Sequence, residues 1–363
     1  MTGPKPKETI LGIHPYQAGK AKVPGFDKPL KLSANENVLG CPEAARVAYR
    51  NAEATLHMYP DPRASELRAA LAAKHKLDPD RILFGTGSDE IFSMACQAYL
   101  SPGDNMVQPQ YAFAAWAIAG RAMGAEVKSA PERNYAVDVD AMLAAVDART
   151  RIVFLANPAN PTGTYIPFSE VKRFHAALRE DVLLVYDGAY AEFGPDGAAD
   201  LETFADTPNV LVTRTFSKLY GLAALRIGWA YGPAQIIDPL QRIRLPFNLP
   251  APAQAAAVAA LADDDFVVRS RKLAAEGRAF LTNLIQSLGW AAIPSQANFV
   301  TARIRAKGQL SAAAVEQGLA KHGILVRGLA NYGMADCLRI TVAEPPEMRR
   351  LADALASVER ELG

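Results

Sequence analysis

The chain has 363 residues, of which 50% are hydrophobic and 21% charged, so apolar surface is ample for a packed core and long disorder is excluded. Its length exceeds the roughly 250–300 residues at which a single hydrophobic core stops growing, and two domains are expected. Lys plus Arg number 39 against 38 Asp plus Glu, for a net charge of +1, and no basic block runs along the chain. The electrostatic footprint of a nucleic-acid binder is therefore missing, and a small-molecule partner is expected. The longest apolar stretches, at residues 111–120 and 255–262, fall short of the ~18 residues a membrane span requires. The opening MTGPKPKETI lacks the apolar core of a signal peptide, so no membrane partner and a cytoplasmic location are expected. Cys41, Cys96 and Cys337 read as reduced thiols, too scattered for a disulfide framework. The histidines show no HxxxH or HExxH spacing, and no metal is expected.

Pro4, Pro6, Pro15, Pro24 and Pro29 make the first 30 residues an irregular arm. Residues 65–77 repeat apolar positions at helical spacing behind Ser65, a candidate N-cap, and residues 81–84 form a strand candidate ahead of the turn Gly85-Thr86-Gly87. Ser88 is expected to cap the next helix, whose first turn carries Asp89 and Glu90. This turn matches a dinucleotide fingerprint poorly, because Glu90 stands in place of the third glycine and the next strand end offers Gln108 and Gln110 instead of an acid. A helix N-terminus there can still receive a phosphate, since its free N–H groups and dipole favour an anion; an ordinary capped helix would read the same way.

Residues 152–156, 182–186, 210–213 and 227–231 form continuous, β-branched-rich runs bounded by turns. Such runs suit strands buried on both faces, which predicts an α/β fold with a mostly parallel sheet and helices on each side. Three prolines within residues 245–252 then interrupt the chain ahead of an Ala-rich helical pattern. Beyond them, strands at 298–303 and 338–342 with helices at 311–321 and 346–361 describe a smaller α+β domain. The expected division is an arm and part of the small domain over 1–44, a large domain over 45–249 and a small C-terminal domain over 250–363.

No GxSxG elbow and no GxxxxGK[ST] loop is present, which removes the usual signals of α/β-hydrolases and P-loop NTPases. The decisive stretch is Thr213-Arg214-Thr215-Phe216-Ser217-Lys218, followed by Arg226. Hydroxyls at Thr215 and Ser217 and the Arg226 guanidinium can together grip a phosphate, leaving the Lys218 amine free to form an imine. A lone lysine at a strand end is ordinarily just solvated; its company alters the reading. Asp187 closes the run 182–186, at the carboxyl end of a buried parallel strand where such sheets place ligands. A carboxylate there suits a pyridoxal ring, whose nitrogen must stay protonated to act as an electron sink. Tyr190 lies three residues on, within reach of the ring's phenolic oxygen. Asn160 lies in Asn157-Pro158-Ala159-Asn160-Pro161-Thr162-Gly163, which also reads as a plain Pro-rich βα turn.

With these residues in view, the segments SANEN (33–37), YPD (59–61), GTGSDE (85–90), NPANPTG (157–163), DGAY (187–190), TFSKLYGLAALRIGW (215–229) and LRIT (338–341) resemble the fold-type I pyridoxal-phosphate aminotransferases. PYQAGK (15–20) and IRLPFN (243–248) narrow the resemblance to the histidinol-phosphate aminotransferase branch. The resemblance implies pyridoxal 5'-phosphate as cofactor, held by Lys218 as an imine, with Lys218 then shuttling the proton. It implies that Asp187 pairs with the ring nitrogen, Asn160 and Tyr190 with the phenolic oxygen, and Tyr111 with the ring face. The phosphate would be held by Ser88, Asp89, Thr215, Ser217, Arg226 and the Tyr59 of a second subunit, which makes the enzyme a homodimer. Tyr16, Asn35, Arg327 and Arg339 would line the substrate site, the two arginines gripping its anionic end. The implied reaction passes an amino group between glutamate/2-oxoglutarate and imidazole-acetol phosphate/histidinol phosphate. Transamination of aromatic keto acids and decarboxylation of threonine phosphate stay open as alternatives. A nicotinamide oxidoreductase would leave the company around Lys218 a coincidence.

Overall fold

The computed structural model describes residues 3–195, 199–204 and 206–362. The strands of its central sheet are Ile82–Thr86 (β1), Asn105–Pro109 (β2), Glu126–Ala130 (β3), Thr150–Ala156 (β4), Leu183–Asp187 (β5), Val210–Thr215 (β6) and Ile227–Tyr231 (β7). Their order is β1-β7-β6-β5-β4-β2-β3. Neighbours run parallel except where β7 meets β1 and β6. The interior strands are buried along nearly their whole length, which is why their sequences run continuously apolar. β3 carried no such signal. It is an edge strand, EVKSA, whose outward positions are charged or polar, and an edge needs no second apolar face.

A second sheet is built from Ala291–Ile293 (β8), Phe299–Arg303 (β9), Arg327–Leu329 (β10) and Met334–Thr341 (β11), in the antiparallel order β8-β9-β11-β10. The amphipathic helices Ala312–Lys321 and Pro345–Leu362 bury Val315, Leu319, Leu351, Leu355 and Val358 in its core. The N-terminal arm is mostly irregular, with one short helix at Glu8–Leu11, and its segment Leu30–Lys31 pairs in parallel with Ile324–Leu325. Leu30 and Leu32 thereby join the core of the small sheet.

The division expected at residue 250 falls inside the large unit. In the helix Ala251–Leu261, the small side chains of Ala253, Ala256, Ala257 and Ala260 let it pack closely into the core that also holds Leu184 and Val212. The long helix Asp264–Ser287 then gives Ala274 to that core but Leu281 and Ile285 to the core of the small sheet. The chain crosses between the two packing units within this helix. Prolines mark a break in secondary structure, which need not coincide with a break in packing.

Two expected helix caps also differ. Ser65 is the first residue of its helix, and its N–H is received by Asp61 Oδ2 at 2.7 Å. Ser88 likewise is the first helical residue, and the N-cap is Gly87 at φ 74°, with no side-chain cap. A glycine without a cap leaves the N–H groups of the first turn open at the carboxyl edge of the sheet.

Candidate active site

The register of the central sheet brings Ala156, Asp187 and Thr213 side by side, so β4 and β5 end together, two residues short of the end of β6, and their following loops converge on one place. Asp187 is 6% exposed. The Ala189 N–H (3.0 Å) and the Thr213 hydroxyl (3.2 Å) both donate to its Oδ1, leaving Oδ2 without a protein donor. Burial raises its carboxyl from 3.8 to about 6, against the lowering effect of those two hydrogen bonds. Thr213 was not foreseen as a partner. The signal for it is strand register, which places a hydroxyl directly beside Asp187 on the adjacent strand end.

Beyond β6 the chain turns tightly. Thr215 Oγ1 receives the Ser217 N–H at 3.1 Å and lies 2.9 Å from Ser217 Oγ and 3.2 Å from the Ile227 carbonyl. The Thr215 hydroxyl, expected to face a phosphate, is thus engaged in shaping the turn that presents Ser217 and Lys218. Lys218 Nζ lies 3.4 Å from the Ala34 carbonyl and 5.6 Å from the centre of the Tyr190 ring, with no carboxylate paired to it among the described residues. Burial, helped by the nearby Arg339 cation, lowers its ammonium to about 8.

Arg226 adopts φ 53° and sends its guanidinium back across the start of the helix Ser88–Tyr99, donating to Asp89 Oδ2 at 3.0 Å and Ser217 Oγ at 3.2 Å. Gly87 and Gly228 make this approach possible. A Cβ on Gly87 would meet Arg226 Nη2 at 2.2 Å, and one on Gly228 would meet the Ser88 nitrogen at 2.2 Å. Open N–H groups, a hydroxyl and a guanidinium converge there, a donor set suited to a phosphate dianion. Asn248 braces this corner from outside, donating to the Phe84 carbonyl and to Glu90 Oε2, which in turn receives the Thr86 N–H.

On the other side of Lys218, Asn35 Nδ2 donates to the Tyr190 hydroxyl oxygen at 2.9 Å, leaving the Tyr190 proton free to be donated. Arg339 on β11 donates from Nη1 to Asn160 Oδ1 (2.5 Å) and from Nη2 to the Ser33 carbonyl (2.9 Å). Its Nε is buried without a partner, and Asn160 keeps its amide hydrogens. Arg327 anchors the arm through the Gln17 carbonyl at 2.5 Å, beside Tyr16, whose ring meets Phe113 edge-on. Tyr111 is held from behind by Glu132 and Tyr135. Tyr59 stands apart, 82% exposed and stacked on Phe247 at 4.6 Å. Beneath the site, Arg214 is 1% exposed and pairs with Asp200 and Glu192, a buried cluster that sequence reading did not isolate.

An open carboxylate oxygen, an unpaired lysine and a phosphate-shaped helix start, gathered at the carboxyl edge of a mostly parallel sheet, define an enzyme built to hold a phosphorylated, nitrogen-bearing ring. The family model for class I and II aminotransferases matches residues 27–355, and the chain belongs to that family. It is 51% identical to histidinol-phosphate aminotransferase 1 of Caulobacter vibrioides over 97% of this chain and 98% of that one. It is 46% identical to the histidinol-phosphate aminotransferase of Maricaulis maris, again over 97% and 98% of the two chains. Among solved structures, the histidinol-phosphate aminotransferase of Sinorhizobium meliloti in complex with pyridoxal-5'-phosphate superposes with a TM-score of 0.91 at 31% identity, covering 100% of this chain and 99% of that one. Among the described residues no helix is long and apolar enough to cross a membrane, and no cluster of metal-ligating side chains occurs.

Proposed function

We propose that this enzyme is a pyridoxal-phosphate-dependent transaminase acting on histidinol phosphate and 2-oxoglutarate to give imidazole-acetol phosphate and glutamate, a step of histidine biosynthesis. The observation that carries the substrate is the end-to-end similarity, at 51% identity, to a relative bearing that name. When bound, pyridoxal phosphate supplies an electron-withdrawing ring that stabilises negative charge at the substrate's α-carbon.

The residues present fit such a group. Asp187 Oδ2 is an acceptor with no protein donor, on a side chain that is itself largely buried, suited to a ring N–H. The Tyr190 hydroxyl proton and the Asn160 amide are free donors for a phenolic oxygen, and Tyr111 is assigned to the ring face. The N–H groups of Ser88 and Asp89 at the helix start, the Ser217 hydroxyl and the Arg226 guanidinium would hold the phosphate, with Thr215 setting the turn. Lys218 Nζ, lowered to about 8, is a usable amine near neutrality and serves as the base that takes the α-carbon proton. Arg339 Nε is an unused buried cation donor, and with Arg327, Tyr16 and Asn35 it would receive the anionic end of the substrate.

The homodimer and a cytoplasmic location belong to this reading. Leu56 (68% exposed), Met58 (60%), Tyr59 (82%) and Leu245 (66%) form an apolar set, joined by Phe247, that a second copy would cover. The partner subunit's Tyr59 would then reach the phosphate. Mixing cofactor-loaded enzyme with histidinol phosphate and no acceptor tests the reaction: the visible absorbance should be lost in a single turnover. Folded Lys218→Ala should not show that loss, and a wild-type rate in that variant overturns the assignment.

A further inference from the structure

Glu132–Arg133 and Ala136–Val137 form a small antiparallel hairpin turned by Asn134 and Tyr135. Both turn residues have positive φ, 53° and 64°. A two-residue turn of this kind suits Asn followed by Gly, and a bulky aromatic at the second position is strained. The strained residue is well used. The Tyr135 ring lies 5.6 Å from that of Tyr111 at 31°, and both pack against Leu329, Met334 and Cys337 of the small sheet. The Tyr135 carbonyl also receives the Thr164 hydroxyl at 2.8 Å, from the loop that carries Asn160.

At the base of the same hairpin, Glu132 Oε1 accepts the Tyr111 N–H at 3.0 Å, while Oε2 is buried with no hydrogen-bond partner. Burial lifts this carboxyl to about 8, so it is mostly uncharged at neutral pH. A buried acid with one oxygen unused and a tyrosine in a glycine conformation are each locally unfavourable. Both touch Tyr111, one on its backbone and one on its ring, and local strain that persists in this way points to a functional constraint.

We propose that the hairpin Glu132–Val137 is a positioning element for the cofactor face, with Glu132 fixing the backbone of Tyr111 and Tyr135 fixing its ring. The proposal rests on the assignment of Tyr111 to the ring face made above. Because Tyr135 also contacts the small sheet, the hairpin ties the ring-facing tyrosine to the domain that carries Arg339.

Titration of the apoenzyme with pyridoxal 5'-phosphate, alongside thermal unfolding of the apoenzyme, tests this in four variants. Tyr111→Ala should weaken cofactor binding, and Glu132→Leu should weaken it about tenfold, as expected when a supporting group is lost. Glu132→Gln keeps an oxygen for the Tyr111 N–H and should restore binding to within about twofold of wild type. Tyr135→Gly relieves the turn strain but loses the ring's packing, so it should unfold close to the wild-type temperature and yet bind cofactor about tenfold more weakly. A purely structural hairpin predicts the opposite for Tyr135→Gly, with stability lowered and affinity untouched. If Tyr111→Ala weakens binding while Tyr135→Gly and Glu132→Leu do not, the hairpin inference is overturned and the Tyr111 assignment stands. If Tyr111→Ala binds cofactor as tightly as wild type, both fall.

Discussion

Replacing Asp187 with Asn should make the apoenzyme more stable and the holoenzyme worse. Both hydrogen bonds that the carboxylate receives go to Oδ1, which an asparagine oxygen can take over, while Oδ2 has no protein donor. The carboxyl titrates at about 6 in the folded chain against an ordinary 3.8 because it is buried. A folded pKa above the unfolded one means that the folded state holds its proton longer. The stability this provides is complete below 3.8 and is lost as pH rises through about 6. The gap between 3.8 and about 6 corresponds to about 3 kcal/mol of apoenzyme stability missing at neutral pH. Asp187→Asn removes that loss, offset by the desolvation of an amide N–H₂ in place of Oδ2, so a net gain of about 1–2 kcal/mol is expected. Urea unfolding of both apoenzymes across this pH range measures it: the variant should be the more stable above pH ~6, with the difference shrinking or reversing below pH ~4. Cofactor titration should show the reverse order, since an amide N–H₂ cannot accept from a ring N–H. An Asp187→Asn apoenzyme less stable than wild type at neutral pH, with the same pH dependence, would refute the claim that Asp187 is a buried charge awaiting a cation.

Gly228→Ala puts a Cβ 2.2 Å from the Ser88 nitrogen, so the start of the helix must retreat by about 1 Å; cofactor affinity should fall roughly 100-fold, read by apoenzyme titration. Tyr59→Phe should loosen cofactor binding, and in a mixed dimer with Lys218→Ala the pocket with intact Lys218 should regain normal affinity, because its tyrosine comes from the other chain. Persistent weak binding at that pocket, measured by titration of the purified heterodimer, would place Tyr59 in its own site.

Short motifs on strand ends were legible because their chemistry is local. Asp187, Thr215, Ser217 and Lys218 announce themselves by residue type and by the buried strands before them. The contacts that complete the site are long-range: Asn35 meets Tyr190 across 155 positions, and Arg339 meets Asn160 across 179. No periodicity encodes such pairs, and the family resemblance named these residues without pairing them. Ser88 reads as a cap because serine is a good one, whereas the helix starts at Ser88 and has Gly87, without a capping side chain, at its N-cap. Glu132 was invisible for a different reason. A glutamate in a short polar hairpin looks solvated until the fold covers it, and nothing in its neighbours' sequence announces that cover.

The account's central claim is the reaction, and steady-state kcat/KM of the cofactor-loaded enzyme tests it most directly, with 2-oxoglutarate as acceptor and histidinol phosphate, phenylalanine or threonine phosphate as the second substrate. Amino transfer from histidinol phosphate should exceed that from phenylalanine by well over tenfold, as the end-to-end similarity to relatives named for that substrate leads one to expect, and threonine phosphate should release no CO₂. Equal or faster turnover of phenylalanine, or CO₂ release from threonine phosphate, would contradict it.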